Sequence, residues 1–206
     1  MSRRGESGPP RRRASRGTIR RELLLFVEGL RTEEIYLVDW HRRYRDRVTV
    51  TVDPFRGGPL QLVKRAIEAQ RIEKRETRRG RGRPYDQIWC MFDRDEHPNF
   101  VEALQLATDH GIHLAISNPC LELWFLLHFQ DQTAFIDRHD AQQRAEMSLQ
   151  CARTLTPAAT EKLAEHYQRA RERAIKLDEK HCGDGSTPGS NPSSGVWKVV
   201  EAIRSA

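Results

Sequence analysis

The chain has 206 residues, of which 37% are hydrophobic and 31% charged, enough to bury one substantial core but not two large independent ones. No apolar run approaches the roughly 18 residues of a membrane-spanning helix, so an ordinary transmembrane protein is excluded. The formal charge of +6 is unevenly spread: residues 1–21 hold eight Arg and one Glu, a local +7 that leaves the rest of the chain at −1, so a uniformly basic surface is excluded too.

Taken in chain order, MSRRGESGPPRRRASRG lacks the apolar segment of a secretory leader. Residues 1–21 therefore read as a disordered basic arm, and the cytoplasm is the expected compartment. Glu22–Val27 carries LLLFV, a short buried strand, and runs into a Glu28-Gly29 loop. Thr32–Tyr44 has helical spacing of Ile35, Leu37, Val38 and Trp40. Val48–Val52 alternates Val and Thr, the pattern of a strand, and Gly57-Gly58-Pro59 leads into a helix with Leu62, Val63, Ala66 and Ile67 on one side. Arg78–Arg83, RRGRGR, reads as a mobile basic loop before a strand at Gln87–Phe92.

Phe100–His110 is helical by pattern and closed by Gly111. Ile112–Ile116 is a fourth strand, and Ser117-Asn118-Pro119 turns the chain into an apolar helix through Leu121–Leu127, with Pro119 placed in its first turn. Residues 137–150 and 157–179 read as two more helices, Cys182–Gly195 as a loop, and Val196–Ile203 as a closing helix. Strands alternating with helices specify an α/β fold with three layers and a mainly parallel central sheet. The division is an arm at 1–21 and a single domain at 22–206, with an α/β core at about 22–130 and a helical C-terminal region at about 137–206. Cys90, Cys120, Cys151 and Cys182 are dispersed and fit reduced structural thiols rather than a zinc site.

The chemistry concentrates in FDRDEH, Phe92–His97. At the end of a strand Asp93 and Asp95 project to the same side, and Glu28 ends another strand. Functional groups in a parallel α/β sheet gather at such carboxyl ends. Glu28, Asp93 and Asp95 together make a hard oxygen set for Mg²⁺ or Mn²⁺, able to serve phosphodiester chemistry. The competing reading is a solvated strand cap at Asp93 and Asp95, with Glu28 paired to an Arg. Glu96 and His97 are candidates for an outer acceptor and a proton-transfer group.

The segments LLLFVEGLRTEEIY, QIWCMFDRDEH, GIHLAISNPCLELWFLLHF and the later NPSS, in this order, resemble the RloB-like proteins, a family named for reading frames beside bacterial restriction systems. The resemblance runs from Leu23 to Ile203. It implies a Toprim-like core, in which Glu28 takes the glutamate position after the first strand and Asp93 and Asp95 the later pair. It also draws Ser117, Asn118 and Glu122 toward the site, although Ser117 and Asn118 can equally cap a helix and Glu122 can pair internally.

Trp124, Phe125, Leu126 and Leu127 read as core or as a homodimer surface, and His128 as a buried or a rim residue. Arg31 and Arg94 are candidates to steady phosphate oxygens. Arg78, Arg79, Arg81 and Arg83 are candidates to follow a DNA or RNA backbone as a flap beside the acidic centre. The function implied is a Mg²⁺- or Mn²⁺-dependent nuclease in a restriction-linked or antiviral defence system, working with restriction-associated proteins. The alternatives are a non-catalytic nucleic-acid-binding or sensor component and an enzyme of nucleotides or modified phosphates.

Overall fold

The computed structural model describes residues 20–29, 31–94, 99–152, 154–187 and 189–205. The expected arm, up to residue 19, and the candidates Asp95, Glu96 and His97 lie outside the described residues. The elements are β1 (Arg21–Val27), α1 (Thr32–Tyr44), β2 (Val48–Val52), α2 (Pro59–Arg78), β3 (Gln87–Asp93), α3 (Phe100–His110), β4 (His113–Asn118), α4 (Leu121–Leu127), α5 (Arg138–Leu149), α6 (Pro157–Gly183), β5 (Ser193–Ser194) and α7 (Val196–Arg204).

They form one sheet in the order β2-β1-β3-β4-β5. The first four strands are parallel and β5 runs antiparallel to β4. The apolar runs of β1 and β3 are continuous because both faces of the sheet are covered. Leu23, Leu25, Val27, Trp89 and Met91 face one core, which is closed by α1 and by the C-terminal helices α4 to α7. Leu24, Phe26, Ile88, Cys90 and Phe92 face the other, beneath α2 and α3. The expected three-layer α/β architecture is therefore present.

The chain leaves β1 through α1 on one face to reach β2, then crosses back through α2 on the other face to reach β3. The strand order reverses between β1 and β3, and this leaves a crevice at their carboxyl ends.

Several boundaries differ from expectation. β1 begins at Arg21, whose backbone N–H donates to Arg47 O at 2.9 Å and whose guanidinium reaches Ala202 O at 3.2 Å. Arg78 ends α2 instead of opening a loop, and α6 continues to Gly183. Pro119 precedes the cap residue Cys120 and so stands outside the first turn of α4.

The reading of Cys182–Gly195 as continuous loop is corrected by β5. Ser193 and Ser194 pair with Asn118 and Ser117, covering an otherwise open edge of β4; two residues are too few to carry a periodic signal. At the start of the last helix, Val196 N donates to Ser194 Oγ at 3.4 Å.

The helix α4 is core. Trp124, Phe125, Leu126 and Leu127 are all but fully buried within the chain itself, so this helix offers no aromatic surface to a second copy. His128 is also buried, and its Nδ1 lies 2.8 Å from Trp124 O. A carbonyl only accepts, so Nδ1 carries the proton. Burial holds the ring neutral, its pKa pulled down to about 3. Cys90 and Cys120 are buried free thiols, pushed up by burial. No helix among the described residues is long and apolar enough to cross a membrane.

Candidate functional site

The crevice between β1 and β3 holds the acidic groups. Val27 and Met91 are register partners, so the residues that follow each strand emerge side by side. Glu28 N donates to Met91 O at 3.1 Å, and Asp93 N donates to the Glu28 carboxylate at 3.2 Å. Glu122 joins them from the first turn of α4 and Glu33 from the first turn of α1. All four carboxylates line one cavity of about 270 Å³.

Glu33 was not singled out by its sequence position, where an acid at a helix start reads as a complement to the helix dipole. The local signal that points further is Gly29. A Cβ there would collide with the Glu33 carboxylate, so the glycine makes the cradle into which that side chain folds.

The electrostatics follow from crowding. Asp93 is raised from an ordinary value of 3.8 to about 8. Burial is the main cause, the charges of Glu122, Glu33 and Glu28 add to it, and the Arg138 guanidinium opposes it. The Glu33 carboxyl is also held above its usual range, again chiefly by burial and with help from Glu122 and Glu28, against backbone hydrogen bonds that include Gly29. Gathering carboxylates in one partly dry cavity favours a proton or a cation there.

Arg138 supplies part of that countercharge. It is the first residue of α5, and its guanidinium reaches the Asp93 carboxylate at 3.2 Å and Pro119 O at 3.4 Å. Nothing in the sequence around Arg138 distinguishes it, because it lies 45 residues from Asp93 and only the fold unites them.

Of the described sequence candidates, Glu28, Asp93 and Glu122 line this cavity and the others do not, although Ser117 is the register partner of Asp93. Ser117 is 2% exposed, with its Oγ 3.2 Å from Ser194 Oγ. Asn118 and Arg94 both donate to Gly189 O at 2.8 Å, and the Arg94 guanidinium lies 5.4 Å from the centre of the Phe100 ring. These three residues fasten the β5 segment and the loop before it. Arg31 lines a separate cavity of about 400 Å³ with Ile35, Val38 and Leu155. Arg79 and Arg81 pair with Glu76 at 3.0 and 3.4 Å, and Arg81 and Arg83 line a third cavity with Asp53. The basic segment enters β3 at the end opposite Asp93, so the flap expected beside the acidic centre is separated from it by the length of that strand.

The donor set of the main cavity is carboxylate oxygen throughout, which suits a hard divalent cation better than zinc or copper. As placed, no three acidic, imidazole or thiol groups among the described residues form a cluster that holds a metal ion. The oxygen chemistry of this lining nevertheless suits such an ion, and Glu28, Glu33, Asp93 and Glu122 are the residues that would hold it.

No curated protein matches the chain. A protein-family model described as RloB-like protein matches residues 23–203.

Proposed function

The chain belongs to the RloB-like proteins, and from that premise we propose that it is a Mg²⁺- or Mn²⁺-dependent nuclease acting on DNA or RNA in a restriction-linked or antiviral defence system. The observation that carries this reading is the convergence of Glu28, Glu33, Asp93 and Glu122 in one cavity at the strand-order reversal. A likeness of the core to Toprim domains belongs to the same proposal.

In it, Glu28 and Asp93 hold the cation, and Asp95, two residues further along the chain, completes the pair with Asp93. The cation supplies charge stabilisation to a phosphodiester and lowers the pKa of water at the site. Glu33, held above its ordinary range chiefly by burial, is the candidate to accept a proton released in the cavity. Glu122, on α4, adds negative charge that strengthens the hold on the cation.

The test is cleavage of DNA, single-stranded RNA and transfer RNA across Mg²⁺ and Mn²⁺ titrations, with Asp93→Ala plus Asp95→Ala as control. Loss of turnover with nucleic-acid binding largely retained is the expected result. Neither metal binding nor cleavage by the unmodified chain would overturn the proposal.

One feature favours the second reading, a non-catalytic nucleic-acid sensor: the Arg138 guanidinium lies 3.2 Å from the Asp93 carboxyl group and offsets part of the cavity's negative charge without any metal. Under that reading the double substitution leaves biological protection unchanged.

A further inference from the structure

We infer that Arg138 has two positions, pairing with Asp93 while the cavity holds no divalent cation and binding the phosphate of the substrate once a cation takes Asp93 from it. This rests on the metal-dependent reading above and names the residue through which cation and substrate are coupled.

Among the described residues that line the acidic cavity, Arg138 is the cationic one. A polyanionic substrate approaching these carboxylates meets repulsion that a bound cation and this guanidinium offset. The neighbouring arginines are placed differently: Arg94 is tied to Gly189 O, and Arg31 lines a different cavity.

The geometry allows movement. Asp93 is fixed at the end of β3, with its side chain 19% exposed, whereas the Arg138 side chain is 40% exposed. The backbone beneath Arg138 is held independently of that side chain, because Asp137 caps α5 by accepting from Asp140 N at 2.8 Å and Ala141 and Ala145 are buried. A divalent cation and a guanidinium seeking the same carboxylate repel one another, so binding of the first releases the second. A planar guanidinium then matches two phosphate oxygens.

The experiment uses the full chain and two variants, Arg138→Gln and Arg138→Lys, with circular dichroism to establish that each is folded. Mn²⁺ affinity is measured by calorimetry. Affinity for nuclease-resistant phosphorothioate DNA and RNA oligonucleotides is measured with and without Mn²⁺.

R138Q should bind Mn²⁺ roughly two- to fivefold more tightly, the range expected when a part-exposed guanidinium–carboxyl contact no longer competes. It should lose about tenfold in oligonucleotide affinity with Mn²⁺ present and less than about twofold without it, since a charge-assisted phosphate contact exists only in the first state. R138K, which keeps the charge without the fork, should fall between, and it carries the same test if R138Q does not fold.

Unchanged or weaker Mn²⁺ binding by R138Q would overturn the inference alone, as would an equal loss of oligonucleotide affinity in both conditions. Absence of Mn²⁺ binding by both the unmodified chain and R138Q would overturn the metal-dependent reading and the inference with it.

Discussion

At Asp93, burial and neighbouring charge together move a carboxyl group to about 8 from an ordinary 3.8, and the consequence for pH is directional. Below about 4 both folded and unfolded chains hold the proton. Between there and about 8 the folded chain holds the proton more than the unfolded chain does, so this contribution to stability, full below about 4, declines as pH rises and is gone above about 8. Melting temperature measured in chelator from pH 6.5 to 9 should therefore fall for the unmodified chain and fall less for Asp93→Asn. Equal slopes would assign the pH dependence to other groups. By the same linkage, Mn²⁺ binding at pH 7 should release a proton, seen as a dependence of the binding enthalpy on the buffer.

Gly29→Ala offers a second test, because its Cβ displaces the Glu33 carboxylate. Mn²⁺ affinity should drop by about tenfold or more, while denaturant unfolding changes far less. Glu28 and Asp93 were legible because each follows an apolar strand run. Glu33 was not, because an acid that opens a helix has an ordinary explanation.

Among the elements, α4 shows how position outranks composition. Its apolar residues read equally as core or as association surface, and the fold buries them between the sheet and α5 and α6. Trp124 Nε1 donates to Tyr36 OH at 2.7 Å, joining α4 to α1. Trp124→Phe should cost about 1 to 3 kcal/mol, from the lost hydrogen bond and the smaller ring. Leu126→Ala should cost about 2 to 5 kcal/mol by leaving a cavity. Both are read from urea unfolding, and a near-neutral result for either would mean that the packing relaxes around it. Glu122 occupies the partly exposed side of this short helix, which is why an otherwise apolar segment carries a carboxylate. The two-residue β5 had no periodicity to reveal it and exists because β4 presents an edge for it to pair with.

For the whole molecule, the distribution of charge matters more than the sum of +6. Residues 1–19 hold six Arg and one Glu. Removing them should weaken nucleic-acid binding and reduce its salt slope by roughly three to five, while leaving Mn²⁺ affinity unchanged. An unaltered slope would show that this segment does not contact phosphate.

The alternation of apolar runs with helical periods determined by itself an α/β chain with a parallel sheet, because such runs reflect local geometry and burial on two faces. It also determined that Glu28 and Asp93 end two of the strands. Only the tertiary structure decided that those ends are neighbours, that Glu33 and Glu122 complete the cavity, and that Arg138 reaches it while the Arg78–Arg83 segment lies beyond the other end of β3. The physical reason is that side-chain convergence depends on strand order and helix placement, and these are set by packing between segments far apart in the chain.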